Sequence, residues 1–156
     1  MENMKDYLLK KSFFEKELSF DFNALVSFMD KYNLESRIKS NYLNQYILQS
    51  TFEVGHLHNT EEFKKIFKDL NLNLNKQNKK SDMSIFFSFT TGASGIMHKD
   101  SYDVYIVGLW GNTIYKVNND FYEVEPGDLL HIPKNSLHKA ISLTPRIVLS
   151  YSTYEN

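Results

Sequence analysis

Cysteine is absent from the 156 residues of this chain. The absence excludes disulfide bonds, thiolate zinc sites and cysteine nucleophiles. It also fits a reducing compartment, and we expect a cytoplasmic protein. The first residues, MENMKDYLLKKSFF, have neither an apolar core nor a small-residue cleavage site, so no secretory signal peptide is expected.

Charge and hydrophobicity are not concentrated in the way that nucleic acids or membranes require. The formal net charge is −1, so we expect no nucleic-acid partner. No apolar run approaches the roughly 20 residues of a membrane-spanning helix, so no membrane association is expected. Hydrophobic residues still make up 42% of the chain, with twelve Phe and ten Tyr, which is enough for the core of a single domain.

The first half of the chain, residues 1–80, has the apolar spacing of helices. Apolar residues recur every three or four positions in residues 21–32, and the same spacing continues in residues 42–47. A third helix over residues 61–70 has Asn59 or Thr60 as its cap and two glutamates in its first turn. The polar residues 72–82 are predicted to be a solvated connector. We therefore expect helices that pack on the remainder of one domain, residues 1–156.

The second half, residues 81–156, changes to short strands. Alternating or continuous apolar runs are separated by Gly, Pro and Asn turns, a pattern typical of a β-sandwich or barrel. The predicted strands are residues 83–91, 96–98, 104–110, 113–117, 121–124, 128–132, 138–142 and 146–153.

Two histidines and an aspartate in this half stand where they could share a cavity. His98 and Asp100 are two residues apart, and such residues face the same side of a strand. The turn Glu125–Asp128 has Pro and Gly where a type II turn needs them and starts a strand that stops at Pro133. His138 follows five residues later. Two imidazoles and one carboxylate make the triad that binds Fe(II) and leaves positions open for other ligands. Asp103 competes with Asp100 for the carboxylate role, and strand parity favours Asp100.

These residues resemble a known family. The segments MHKDSYD (97–103), IVGLWGNTIYKV (106–117) and PGDLLHIPKNSLH (126–138) are similar to motifs of the cupin-fold Fe(II)/2-oxoglutarate-dependent oxygenases, nearest to their JmjC-like and asparaginyl-hydroxylase-like branch. The resemblance runs from about Ile85 to Tyr154. It implies a double-stranded β-helix core, which together with the helical pattern of residues 1–80 predicts a mainly β chain with N-terminal helices. It also implies that His98, Asp100 and His138 bind Fe(II).

The resemblance implies an activity as well. Such enzymes couple oxidative decarboxylation of 2-oxoglutarate to hydroxylation of a C–H bond, and the substrate here would be an amino acid, a peptide or a small metabolite. The family needs a basic side chain for the distal carboxylate of 2-oxoglutarate. Trp110 stands where relatives often have Lys. Arg146 is the first alternative, because its guanidinium could form a bidentate pair, and Lys116 is the second. A nearby hydroxyl would come from Tyr105, Thr90 or Ser150.

Other interpretations stay open. His56, His58 and Glu62 imitate the ligand spacing of another cupin class, but they precede a capped helix rather than a strand, so we expect a loop. A metal-binding cupin enzyme without 2-oxoglutarate chemistry and a non-catalytic cupin-like binding module are the alternative functions. Many cupin-type proteins are dimers, so a homodimer is compatible with each of them.

Overall fold

The computed structural model describes residues 8–14, 18, 20–34, 39–41, 51–76, 79–92 and 95–154. In these ranges the chain forms two helices and ten strands. In order they are β1 (Leu9–Lys10), α1 (Phe22–Tyr32), β2 (Lys39–Asn41), β3 (Thr51–Val54), α2 (Glu61–Asn73), β4 (Lys80–Ser88), β5 (Asp103–Trp110), β6 (Thr113–Val117), β7 (Asp120–Val124), β8 (Leu129–Ile132), β9 (His138–Ser142) and β10 (Arg146–Tyr154).

The strands form two antiparallel sheets. The larger has the order β1-β8-β5-β10-β4-β3-β2, and the smaller has the order β7-β6-β9. Residues of both sheets share one buried cluster, in which Ile106 and Val148 of the large sheet join Tyr115 and Val124 of the small one. Two sheets that face each other across such a core are the jelly-roll arrangement. The predicted mainly β chain with a double-stranded β-helix core is confirmed.

Strand β10 shows how the sequence divides the two faces of the large sheet. Ile147, Leu149 and Tyr151 belong to the cluster that also contains buried residues of α1 and α2. The alternate positions Arg146 and Ser150 line a cavity on the opposite face. Side chains alternate across a strand, so one face of β10 packs against the helices and the other face contributes polar side chains to the cavity.

The two helices cover the outer face of the large sheet. Asp21 caps α1 by accepting a hydrogen bond from the backbone N–H of Ala24 at 2.8 Å, and α1 ends at Asn33, which takes a left-handed φ of 49°. The predicted helix over residues 61–70 is confirmed and continues to Asn73. Neither helix is long and apolar enough to cross a bilayer.

The first half of the chain contains strands that the helical prediction missed. β2 pairs with β3, and β3 pairs with β4 of the large sheet. Strands of three and four residues are too short for a clear period, and pairing with a long neighbour stabilises them. The predicted helix over residues 42–47 lies outside the described residues. The connector predicted for residues 72–82 is too long, because α2 extends to Asn73 and β4 begins at Lys80.

Candidate metal centre

The structure brings His98, Asp100 and His138 together. One ligand atom from each of the three residues lies within 4.8 Å of the others. His138 is the first residue of β9, whereas residues 96–98 do not form the predicted strand and His98 makes only an isolated antiparallel bridge to His138. The bridge places the two imidazoles side by side. The strand-parity argument for His98 and Asp100 does not hold, because residues 98–100 do not form a strand.

Both imidazoles are oriented by backbone carbonyls. The Nδ1 atom of His98 lies 2.8 Å from the carbonyl oxygen of Ile96, and Nδ1 of His138 lies 3.0 Å from that of Ser136. A proton on each Nδ1 would satisfy these contacts and leave both Nε2 lone pairs for a ligand. The Nε2 atoms lie 3.7 and 3.4 Å from Oδ2 of Asp100. Donors about 2.1 Å from one ion stand about 3.0–3.4 Å apart. The 3.4 Å distance is within this range and the 3.7 Å distance slightly exceeds it, so the donor set could hold a divalent metal after a small inward movement of His98.

The electrostatics of His138 favour a neutral ring. Burial lowers its pKa, and the neighbouring His98 lowers it further, while the carbonyl of Ser136 and the carboxylate of Asp100 act in the opposite direction. The net pKa lies below the ordinary value of 6.5. A neutral imidazole is the form that binds a metal, so His138 does not have to lose a proton at neutral pH.

Asp103, the alternative carboxylate, faces away from the two imidazoles. Its Oδ1 lies 3.5 Å from Nε2 of His131 and accepts a hydrogen bond from the backbone N–H of Lys134. His131 stacks on Tyr105, with ring centroids 4.6 Å apart. The structure therefore places Asp100, and not Asp103, beside His98 and His138.

A cavity of about 320 Å³ opens beside the triad, between the two sheets. Hydroxyl and carboxylate side chains of the large sheet, and of Tyr102 just before β5, make up much of one wall. They come from Thr51, Glu53, Asp82, Ser84, Tyr102, Ser150, Ser152 and Tyr154. The cavity is thus polar near the triad, and its aliphatic lining comes from residues such as Val104 and Ile106.

Arg146 lies in the wall of the same cavity and is only 1% exposed. Its Nη1 donates to Oγ1 of Thr113 at 3.4 Å, and its Nε is buried without a hydrogen-bond partner. Complete burial raises the pKa of Tyr115, and the nearby Arg146 opposes that rise. No carboxylate forms an ion pair with Arg146 in the part of the chain that the structure describes. A buried cation in this state is suited to an anionic ligand.

The other residues predicted to contact 2-oxoglutarate fall into two groups. Ser150 lines the cavity, two positions along β10 from Val148. Tyr105, Lys116 and Thr90 are not part of the cavity wall. Tyr105 lies on the helix-covered face of the large sheet, and the Nζ of Lys116 lies 5.6 Å from the ring centroid of Phe121. The structure gives these three residues no contact with the cavity.

The histidines at positions 56 and 58 lie apart from the triad. Their Nδ1 atoms approach the two carboxylate oxygens of Asp82, at 2.8 and 3.3 Å. Glu62 instead pairs with Lys31 at 2.9 Å. Within the described ranges, the only group of three or more residues that could hold a metal is His98, Asp100 and His138.

Most of the polar cavity residues were not found from the sequence, and four of them show why. Tyr154 has the same parity on β10 as Arg146 and Ser150, so the period of that strand could have revealed it. Glu53 lies on a strand that the helical reading of the first half concealed. Asp82 lies where a connector was predicted, and Tyr102 lies in the irregular segment between Asp100 and β5.

Comparison with known proteins supports this description at the level of fold. The sequence matches no protein-family model and no curated protein. Structures of YcfD, a ribosomal oxygenase from Escherichia coli, in complex with cobalt and 2-oxoglutarate or with cobalt and succinic acid, superimpose with a TM-score of 0.71 and 19% identity over 95% of this chain. They cover 48% of the YcfD chain, so this chain spans about half the length of that relative.

A second similar structure belongs to another branch of the fold. An RmlC-like cupin from Shewanella frigidimarina NCIMB 400 matches with a TM-score of 0.51 and 11% identity over 78% of this chain and 88% of that one. The chain therefore has the cupin-type double-stranded β-helix fold, in a form that resembles a cupin-fold oxygenase.

Proposed function

We propose that this chain is an Fe(II)- and 2-oxoglutarate-dependent oxygenase. The observation that carries the proposal is the joint presence, in one cavity, of the triad His98, Asp100 and His138 and of the buried, carboxylate-free Arg146. A facial triad leaves coordination positions for a chelating co-substrate and for oxygen. A buried guanidinium in the same cavity supplies a partner for a second carboxylate of that co-substrate.

In this proposal the triad holds the metal and the protein prepares its ligands. The carbonyls of Ile96 and Ser136 keep the Nδ1 protons of His98 and His138 in place, so that both Nε2 atoms stay available. Bound Fe(II) would supply the oxygen activation that side chains cannot perform. The carboxylate of Asp100 adds a negative charge, so the triad attracts a divalent cation more strongly than a neutral set of ligands would.

Arg146 has the role of the co-substrate anchor. Its Nε is a buried donor without a hydrogen-bond partner, and a carboxylate would satisfy it with a charge-assisted bond. Ser150 lines the same cavity and offers a hydroxyl. Arg146 and the neighbouring Thr113, Tyr115 and Ser150 are buried, and the low local dielectric around them strengthens such a contact.

The prime substrate is proposed to be a polar amino-acid, peptide or small-metabolite group. The wall opposite the small sheet has the side chains of Glu53, Ser84, Tyr102 and Tyr154, which hydrogen-bond more readily than they bind a hydrocarbon. Since the chain spans about half of YcfD, the ribosomal oxygenase activity of that protein guides the proposed chemistry and not the proposed substrate.

Anaerobic titration tests the proposal. Fe(II) is added first and 2-oxoglutarate second, and a visible metal-to-ligand charge-transfer band is expected only after the second addition. Oxygen should then give succinate, and Asp100→Ala should abolish both signals. Absence of tight Fe(II) binding by the wild-type protein would contradict the proposal.

A metal-binding cupin without 2-oxoglutarate chemistry is the second candidate. The observation in its favour is Trp110, which stands where relatives often have Lys and whose side chain is not part of the cavity wall. Under this alternative, metal binds without the charge-transfer band, and Arg146→Met has little effect on any ligand. Under the first proposal, Arg146→Met retains the metal and weakens 2-oxoglutarate binding.

A further inference from the structure

Asp103 contacts two of the segments that carry the triad residues. It is the first residue of β5, three positions after Asp100, and its side chain is 24% exposed. Its Oδ1 accepts a hydrogen bond of 3.1 Å from the backbone N–H of Lys134. Lys134 belongs to the loop of residues 133–137, which leads directly to His138. The carboxylate thus holds the loop that carries one ligand.

The carboxylate is itself held from two further sides. Its Oδ2 lies 3.5 Å from Nζ of Lys76, just beyond the end of α2, and its Oδ1 lies 3.5 Å from Nε2 of His131 on β8. Burial raises the pKa of Asp103, but the N–H of Lys134, the contact with the His131 ring and the charge of Lys76 outweigh burial and lower it. Asp103 is therefore a fixed anion and not a mobile surface group.

A second contact joins the same two segments. The backbone N–H of Asn135 donates to the carbonyl oxygen of Asp100 at 2.7 Å. Two consecutive N–H groups, of Lys134 and Asn135, are therefore bound by the segment 100–103. The N–H of Asn135 donates to the backbone of Asp100, a proposed metal ligand, and the N–H of Lys134 donates to the side chain of Asp103. Together they set the position of the loop before His138 relative to Asp100.

We propose that Asp103 is a positioning residue of the metal centre, which fixes the His138 loop against the Asp100 segment through the N–H of Lys134. The inference rests on the proposed metal site. It assigns a role to the aspartate of the segment MHKDSYD (97–103) that lies outside the triad. Groups that orient metal ligands typically change metal affinity by about 10- to 100-fold when they are removed.

Variants of Asp103 separate positioning from charge. Asp103→Ala removes the acceptor and the charge, and Co(II) should bind about 10- to 100-fold more weakly, with altered visible d–d bands. Asp103→Asn keeps an oxygen acceptor for Lys134, so it should restore the wild-type bands and bind Co(II) within about threefold of wild type. Asp21→Ala is the matched control, because it also removes a carboxylate that accepts one backbone N–H, but at the start of α1. It should lose stability and keep the wild-type Co(II) affinity.

Three outcomes would overturn the inference. Asp103→Ala could bind Co(II) like the wild type with unchanged bands, or Asp103→Asn could fail to restore the affinity. If Asp103→Ala does not fold, hydrogen exchange of the metal-free wild-type protein tests the inference instead. The amide of Lys134 should be protected, because it donates to Asp103. Exchange at the rate of an open loop would refute that contact. Failure of the wild type to bind Co(II) would instead refute the proposed metal site itself.

Discussion

His98 and His138 face each other across a single antiparallel bridge, with backbone N–O distances of 3.0 and 2.9 Å and ring centroids 4.3 Å apart. The bridge fixes the separation of the two imidazoles through the backbone. The site is therefore preorganised by the fold, and a metal would bind to side chains that are already adjacent.

The triad predicts a metal-dependent gain in stability. Co(II) at about 100 times its dissociation constant adds roughly 2.7 kcal/mol to the folded state, and each kcal/mol raises the Tm of a chain of this size by about 2–4 °C. We expect a rise of about 5–10 °C in the wild type and none in Asp100→Ala.

Asp82→Ala is the matched control for this experiment. Asp82 and Asp100 have side chains of similar exposure, 24% and 22%, and each lies beside two histidines. Differential scanning fluorimetry with and without Co(II) should show the metal-dependent shift in Asp82→Ala. If Asp82→Ala alone lost the shift, the metal would bind at Asp82 with His56 and His58 and not at the triad.

Arg146→Met is expected to stabilise the ligand-free protein. The side chain is buried, and its polar contacts are to neutral hydroxyl groups, those of Thr113 at 3.4 Å and of Tyr115. Replacing a buried charge by an apolar side chain of similar volume is often stabilising, by roughly 1–4 kcal/mol. Urea denaturation would measure the change. A large loss of stability would instead show that Arg146 is an internal structural ion and not a ligand anchor.

Gly108 is predicted to be intolerant of a side chain. A Cβ at this position would lie 2.1 Å from the backbone oxygen of Glu125, in the turn that precedes β8. Gly108→Ala should therefore lower the free energy of unfolding by roughly 3 kcal/mol or more. Gly92→Ala is the control: a Cβ there meets nothing within 4 Å, and only its φ of 75° is unfavourable, which costs about 1 kcal/mol. Equal unfolding midpoints for the two variants would contradict the predicted clash.

The stability of the metal-free protein should fall as the pH falls below 6.5. Burial lowers the pKa of His131, against the opposing effect of Asp103, so the folded protein keeps this ring neutral where the unfolded chain, with the ordinary value of 6.5, takes up a proton. The unfolded state then binds more protons, and stability decreases toward acid. His138 acts in the same direction.

His131→Gln isolates the first of these two contributions. Urea midpoints measured between about pH 7.5 and 5 should decline less steeply in His131→Gln than in the wild type, because one of the two histidines with a lowered pKa is gone. Parallel curves for the two proteins would show that His131 is not protonated more readily in the unfolded chain.

The β half of the chain could be predicted closely from its sequence. The strands Thr113–Val117 and His138–Ser142 have the predicted bounds, and the turn before Asp128 forms with Gly127 at a φ of 91°. These features depend on local chemistry: alternating apolar residues, a glycine where φ must be positive, and a proline where the chain must turn. The motif residues of the proposed triad were likewise recognisable from their spacing.

The sequence by itself determined the residue types of the site, the two main helices and most strands, because each depends on neighbours within a few positions. Only the tertiary structure decided that β2 and β3 join the large sheet, that Tyr105 and Lys116 lie away from the cavity while Arg146 lies in it, and that Asp103 serves the loop instead of the triad. Those outcomes depend on which distant strands pair and which face each presents, and pairing across tens of residues leaves no local periodic signal.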